Sequence, residues 1–170
     1  MKGIGKGFTL IELLVAIAML GVLATGVLVA INPLERLALA RDAQRKTAIS
    51  QLARALQSYY INHAATSNPF PPNSYTFMNA LVADGDLRTV LPMISNTTAC
   101  LGGVYSQNNF CYYNDGANAY TMVHLESQKE KSRCSADESP YYIWDFGRGK
   151  IGVVCVGSLW CIVGGCTFLP

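Results

Sequence analysis

Glu12 is the residue whose chemistry fits its surroundings least. It is the only formally charged residue between Phe8 and Ile31, a run of 24 positions. An acid within an apolar span is costly to bury and marks a functional site by default. The chemistry open to Glu12 is to pair with a cation, so this acid requires a named cationic partner.

The residues around Glu12 follow a short basic arm and read Lys6-Gly7-Phe8-Thr9-Leu10-Ile11-Glu12-Leu13-Leu14-Val15. This string resembles the class III leader of type IV prepilins and pseudopilins. In that family the chain is cut after a glycine, the new first residue is N-methylated, and the fifth residue after the cut is glutamate. The resemblance implies cleavage between Gly7 and Phe8, N-methylation of Phe8, and a role for Glu12 in assembly and register.

Cleavage would create a cationic amine on Phe8, which is the partner that Glu12 requires. When apolar helices bundle, this amine and the Glu12 carboxylate of a neighbouring subunit can pair. The pairing would offset part of the burial cost of both charges and fix the axial register of the subunits.

A Sec signal peptide and a plain membrane anchor are two other interpretations of the apolar run. A Sec signal has a core of roughly 7–15 apolar residues and a small-residue cleavage site. This run is longer, no convincing A-x-A site closes it, and neither interpretation explains Glu12. About 20 helical residues cross a bilayer core, so we expect one membrane span with the short arm cytoplasmic and the remainder exported.

Six cysteines form the second group of residues whose side chains could do chemistry, and all of them lie in the portion that we expect to be exported. They are Cys100, Cys111, Cys134, Cys155, Cys161 and Cys166. An even count in an exported domain favours disulfides, although sequence cannot choose among the pairings. Zinc is the rival interpretation, but no C-x-x-C pair occurs and His63 and His124 lack a ligand-like spacing to the cysteines.

The sequence contains no G-x-S-x-G, H-E-x-x-H or P-loop motif. The string Gly147 to Gly152 matches G-x-G-x-x-G, but an apolar stretch follows it, so a hairpin turn is the better interpretation. We predict no enzyme activity, no cofactor and no metal. Calcium is the one open alternative, and its candidate ligands are Asp115, Asp137, Glu138 and Asp145.

The elements that carry these residues are a helical stem and a β-rich head. We expect one long, bent helix from Phe8 to Tyr60, with a kink of uncertain position near Pro33. In its second half, Ile49, Leu52 and Leu56 recur at helical spacing and predict a stripe packed on a sheet. Arg45, Lys46, Gln51, Arg54 and Gln57 fall on other faces.

The head is predicted from turn and strand signals. After the proline-rich loop from Asn68 to Asn73, Phe77–Ala83 predicts a short helix. Runs 104–113 and 119–125 flank a short Asp-Gly loop, and runs 141–146 and 151–156 flank a glycine-rich one, which together indicate two hairpins. Residues 159–163 indicate a last strand. We prefer buried strands to a second membrane span for residues 151–170.

These elements predict an α+β fold of pilin-like type. Its parts are a leader at residues 1–7, an apolar membrane or filament-core helix at 8–33, an amphipathic half of the stem at 34–61, and a disulfide-containing head at 62–170. The stem packs through its second half on a small antiparallel sheet.

The resemblance further implies a structural subunit of a type IV pilus-like or type II secretion pseudopilus filament. Its partners would be copies of itself, minor pilins, the prepilin peptidase, and the inner-membrane assembly platform with its ATPase. The precursor would reside in the cytoplasmic membrane as a single-pass protein and then enter an extracytoplasmic filament at the cell surface.

The main alternative is a minor tip subunit that binds DNA or a surface. The second alternative is a Sec-exported, membrane-anchored protein. Several tyrosines could stack on bases, namely Tyr59, Tyr60, Tyr112, Tyr113, Tyr141 and Tyr142. However, the chain has a net charge of only +2, and residues 55–170 contain six basic and eight acidic residues. Because DNA binding depends on cationic surface, we do not expect nucleic acid as a partner.

Overall fold

The computed structural model describes residues 7–94, 100, 104–157 and 167–169. The chain divides into two compact units, Met1–Leu37 and Ala38–Pro170. The fold is α+β, as expected: a long apolar helix at the N-terminus precedes a five-stranded antiparallel sheet, which is the pilin-like order of elements.

The stem consists of two helices rather than one bent helix. Helix α1 spans Leu10–Ile31 and helix α2 spans Pro33–Asn62. Between them, Asn32 takes a left-handed conformation with φ of 46°. Proline disfavours a helical conformation in the residue before it, and asparagine tolerates the left-handed region, so the break falls at Asn32. The Asn32 carbonyl accepts a hydrogen bond from the Arg36 N–H at 3.3 Å, which starts the second helix.

Helix α2 buries the predicted stripe against the sheet. Ile49, Leu52 and Leu56 are fully buried in a cluster with Phe110, Tyr112, Val123 and Trp144. The prediction that Arg45 lies on another face is wrong, because Arg45 is only 2% exposed. Arg45 is buried between two acids, Asp42 of the same helix and Glu126 of the head, and apolar periodicity reveals neither partner.

Helix α3 spans Phe77–Ala83, as predicted. The chain turns immediately after it, with Gly85 at φ of +84°, a conformation that glycine adopts without strain. Phe77 stacks on Tyr112 with ring centroids 4.5 Å apart. The Tyr112 hydroxyl donates to the Pro71 carbonyl at 2.9 Å, so the proline-rich loop is fixed to the same part of the sheet.

The sheet is an antiparallel meander in which each strand pairs with the next. Its strands are β1 (Tyr105–Gln107), β2 (Phe110–Asn114), β3 (Ala119–His124), β4 (Ser139–Asp145) and β5 (Lys150–Val156). A one-turn helix, α4 (Gln128–Lys131), lies between β3 and β4. The predicted hairpins β2–β3 and β4–β5 are confirmed, and Gly149 takes φ of +58° in the second turn.

Residues 104–113 form two strands rather than the single predicted one. Asn108 and Asn109 both have positive φ, 54° and 67°, and they connect β1 to β2. Positive φ at two consecutive residues is the signature of a tight hairpin turn, which asparagine supports in place of glycine. The sheet therefore gains an edge strand that the sequence analysis did not separate.

The sheet is apolar on its second face as well. Met122, Tyr141, Ile143, Val154 and Val156 are buried there with Cys111. Phe168 packs on this cluster, pairs with Val154 in a β-bridge, and is followed by Leu169, whose N–H donates to the Val153 carbonyl at 2.8 Å. The first part of the 151–170 segment is thus a strand, whereas the last strand predicted at 159–163 lies outside the described residues.

Candidate functional site

The start of α1 is organised by a reciprocal pair of contacts between Thr9 and Glu12. Thr9 is the N-cap residue, and its hydroxyl oxygen accepts a hydrogen bond from the Glu12 N–H at 3.3 Å. The Glu12 carboxylate in turn accepts from the Thr9 N–H at 2.9 Å and from the Thr9 hydroxyl at 2.8 Å. This capping box satisfies two of the N–H groups that a helix start leaves without partners.

Gly7 and Phe8 lie immediately ahead of this cap, outside the helix. Both residues are exposed, and the Phe8 side chain is 87% accessible. A Cβ placed on Gly7 would meet no atom within 4 Å. The peptide bond between Gly7 and Phe8 is therefore open to an approaching protease, three residues before the helix begins at Leu10.

The surface of α1 is apolar around its whole circumference. None of its 22 residues is buried in the chain itself, and Glu12 is the only charged one. At 1.5 Å per residue the helix is about 33 Å long, close to the roughly 30 Å of a bilayer core. By length and composition it is a candidate membrane span, and no other helix in the described part of the chain qualifies.

Comparison with known proteins identifies the same segment. The family model described as the prokaryotic N-terminal methylation motif matches residues 5–28, which include Gly7, Phe8 and Glu12. No curated protein and no solved structure matches the chain. The chain thus carries the class III leader motif of type IV pilins and pseudopilins. This motif and the apolar helix α1 fit a membrane-anchored precursor, and the motif points to a structural subunit rather than an enzyme.

Four of the six candidate cysteines form two disulfides in the head. Cys100 joins Cys111 with a Cα–Cα distance of 5.6 Å, and Cys134 joins Cys155 with a Cα–Cα distance of 5.4 Å. The first bond fixes the segment before β1 to β2, and the second fixes the region after α4 to β5. Cys161 and Cys166 lie outside the described residues.

The candidate calcium ligands do not converge. Asp115 accepts the N–H groups of Ala117 and Asn118 within its own turn, at 2.9 Å and 2.6 Å. Burial opposes its ionisation, but these N–H donors outweigh burial and lower the pKa of Asp115. Asp145 contacts Arg148 at 3.6 Å, and Asp137 and Glu138 belong to a separate exposed loop. Among the described residues, no group of three or more His, Cys, Asp or Glu side chains could hold a metal ion.

The tyrosines considered as a base-stacking surface are not brought together on an exposed face. Tyr112 and Tyr141 are buried, and Tyr59 and Tyr60 pack against the core cluster. Tyr142 packs against the same cluster, and Tyr113, which is partly accessible, stacks loosely on Tyr120 with ring centroids 6.5 Å apart. A continuous stacking platform of the kind used for single strands is not formed by these residues.

A group of buried charges between α2 and the loop after β3 was missed by the sequence analysis. We call it the polar clamp and define it as Asp42, Arg45 and Lys46 of α2 with Glu126, Ser127 and Glu130. Asp42 accepts from the Glu126 and Ser127 N–H groups at 3.0 Å and 2.9 Å and from the Arg45 guanidinium at 2.8 Å. Lys46 reaches Glu130 at 2.5 Å, and Arg45 also contacts Glu126 at 3.2 Å.

The polar clamp attaches the head to α2 through hydrogen bonds and ion pairs, in addition to the apolar packing. Burial opposes the ionisation of Asp42, but the two N–H donors and Arg45 outweigh it and lower its pKa. The i,i+3 spacing of Asp42 and Arg45 is a local signal that could have indicated this pair. Glu126 and Glu130, which complete the polar clamp, lie more than 80 residues from their partners in α2, so a local sequence pattern cannot predict these contacts.

Proposed function

We propose that this chain is a structural subunit of a type IV pilus-like or type II secretion pseudopilus filament. The observation that supports the proposal is a fully exposed apolar helix that opens with Gly7-Phe8, Thr9 and the lone acid Glu12. Such a surface requires lipid or other apolar helices around it. A prepilin peptidase would cut between Gly7 and Phe8, and Phe8 would then be N-methylated.

Polymerisation would replace the lipid around α1 with the α1 helices of other subunits. Within that bundle the Phe8 amine of one copy pairs with the Glu12 carboxylate of a neighbour. The capping box holds the Glu12 carboxylate at the first turn of α1. Its hydrogen bonds to Thr9 would orient it toward the next subunit along the filament axis. Minor pilins, the assembly platform and its ATPase are the further partners of this proposal, and the cell surface is its destination.

Mass spectrometry of the N-terminal peptide from the native protein tests the processing step. We expect the mature chain to begin at N-methylated Phe8. A native chain that still begins at Met1, or that begins beyond Ile31, contradicts the proposal, because either result leaves no amine next to Glu12.

Two substitutions at Glu12 separate capping from ion pairing. Glu12→Gln keeps a side chain that can close the capping box but removes the charge, whereas Glu12→Asp keeps the charge on a shorter side chain. We expect Glu12→Gln to insert in the membrane at normal levels and to lose most sheared filaments, on the order of tenfold, since one lost pairing worth about 1.4 kcal/mol changes an equilibrium tenfold.

The measurement is filament yield after shearing, normalised to the amount of full chain in the membrane fraction. Partial recovery with Glu12→Asp would agree with ion pairing. If Glu12→Gln assembles like the unaltered chain, the charge has no role in assembly and this part of the proposal fails.

A further inference from the structure

An exposed groove lies between α2 and the turn that follows α3. It is lined by Gln51, Arg54 and Ala55 of α2 and by Asp86, Leu87 and Arg88 of the turn. We call it the basic groove. Its floor is fixed, because Ala55 is buried and the N–H groups of Asp86 and Leu87 donate to the Leu81 carbonyl at 2.9 Å and 3.0 Å.

The two arginines of the groove are available for a partner. Arg54 and Arg88 are both exposed, and within the described ranges neither forms an ion pair or a side-chain hydrogen bond. Asp86 is the one acid in the groove, and its carboxylate accepts from the Asn62 amide at 3.5 Å. The groove therefore presents two guanidinium groups against one carboxylate, a surface that suits an acidic ligand.

The same head carries an exposed acidic loop, Asp137-Glu138, ahead of β4. Both residues are exposed, and among the described residues the Glu138 side chain accepts the Ser135 N–H, at 3.3 Å within its own loop. The other acids of the described head are already engaged: they lie in the polar clamp, beside His63 or Arg148, in the Asp115 turn or in the groove itself. Asp137 and Glu138 thus form the acidic surface that is left for an outside partner.

The groove and the acidic loop are formed by different parts of the head. The turn that forms the groove follows α3, which contacts the edge strand β1: the Met78 N–H donates to the Gln107 side chain at 2.7 Å. The acidic loop lies at the end of the β4–β5 pair, where Ser139 pairs with Val156 and the Glu138 side chain is 3.2 Å from the position of a Cβ on Gly157.

We propose that the basic groove of one copy receives the Asp137-Glu138 loop of a second copy. This inference rests on the proposed function and adds a head-to-head contact to the helical core. Two different surfaces that complement each other make a heterologous contact, which extends into an open helical array when its rotation does not close a ring. Charge complementarity of this kind fixes register and partner choice more than it adds affinity.

Charge reversal tests the contact in the full chain, expressed in a bacterial host with the assembly machinery. The first variant is Arg54→Glu with Arg88→Glu, the second is Asp137→Arg with Glu138→Arg, and the third combines all four changes. We expect each pair of changes to lower filament yield about tenfold through like-charge repulsion, and the fourfold variant to recover to within about threefold. Lys150→Gln, which removes an exposed charge outside both surfaces without placing a second acid opposite Asp145, is the control and should leave the yield unchanged.

A photo-crosslinking residue at position 88 provides a second measurement that does not depend on yield. In assembled filaments it should link to a peptide that contains Asp137 from another copy. Protease resistance and disulfide content of each variant in the membrane fraction show that the head is folded.

The outcomes separate the two proposals. If the unaltered chain forms no filament, the proposed function fails and this contact with it. If the unaltered chain forms filaments, and either the paired variants assemble normally, the fourfold variant does not recover, or position 88 links elsewhere, then the contact is wrong and the filament proposal stands.

Discussion

Asp42 shows how much one side chain contributes to the attachment of the head. Its carboxylate receives two backbone N–H groups and one guanidinium, and both Asp42 and Arg45 are 2% exposed. A buried charge pair adds little over an apolar pair of the same shape, but the removal of one partner leaves the other charge buried and uncompensated. The clamp is therefore sensitive to the loss of any single member.

Asp42→Asn should lower the free energy of unfolding by about 3 kcal/mol, because the buried Arg45 loses the nearer of its two carboxylate partners and one oxygen that faces an N–H donor is replaced by an amide NH₂ group. The measurement is urea denaturation of the full chain in detergent, followed by the fluorescence of its two tryptophans, of which Trp144 lies buried in the head. Gln57→Ala, at an exposed position of the same helix, should change stability by less than about 0.5 kcal/mol. Equal stability of Asp42→Asn and the unaltered chain would show that the clamp carries no net energy.

At the scale of elements, the features that depend on interactions between residues close in sequence were predicted correctly from the sequence. Helix α3 and the hairpins β2–β3 and β4–β5 follow from caps, turn residues and strand runs within about ten residues. The stripe of Ile49, Leu52 and Leu56 followed from helical periodicity. The division of residues 104–113 into two strands was missed because its turn is Asn-Asn, without the usual glycine. The helix break at Asn32 was missed because it depends on the combined effect of Asn32 and the proline that follows it.

The burial of Arg45 and the cysteine pairing belong to a different class of feature. Both are set by contacts between segments far apart in the sequence, such as α2 with the loop after β3, or residue 134 with residue 155. Periodicity assigned Arg45 to an outer face because it counts apolar side chains and not the distant acids that can neutralise a cation.

The Cys134–Cys155 disulfide encloses β4 and ends close to the polar clamp. Its sequence separation is 21 residues, and Arg133, next to Cys134, contacts Glu130 at 2.9 Å. Replacing both cysteines by serine should accelerate amide exchange at Glu126 and Ser127, because the segment that bears the clamp acids then loses its cross-link to β5. A disulfide that closes a loop of this length stabilises by about 3 kcal/mol.

Hydrogen–deuterium exchange of the peptide that covers residues 126–131 measures this effect. The matched control is Cys100→Ser with Cys111→Ser, which should change exchange around β2 and leave that peptide protected. Equal acceleration in both double variants would mean that the disulfides act on the whole head and not on the clamp.

At the scale of the whole molecule, three buried ionisable groups have lowered pKa values and respond to acid in the same direction, namely Asp42, His124 and Glu130. Burial, together with Arg45 and Lys131, lowers the pKa of His124 from its ordinary value of 6.5. Burial opposes the ionisation of Glu130, but Lys46 and Arg133 outweigh it and lower its pKa from 4.5. A group with a lowered pKa stabilises the fold fully above its unfolded value and loses that contribution as pH falls.

The head should therefore be most stable above about pH 6.5 and lose stability in two stages on acidification. The first stage, from His124, begins below pH 6.5, and the second, from Glu130 and Asp42, follows below the ordinary carboxyl values of 4.5 and 3.8. Urea midpoints of the full chain between pH 8 and about pH 2.5 cover both stages and measure the profile. His124→Gln should flatten the first stage alone; a first stage that persists in this variant assigns it to another group.

Phe168 and Leu169, which lie beside β5, have a consequence for association between precursor chains before assembly. An open sheet edge is a template on which another chain can add a strand and begin an amyloid-like aggregate. Phe168 and Leu169 occupy that position next to Val153 and Val154, and the opposite edge strand, β1, is only three residues long. Within the described residues, each edge is thus covered or short, which would allow a crowded pool of precursors to remain dispersed.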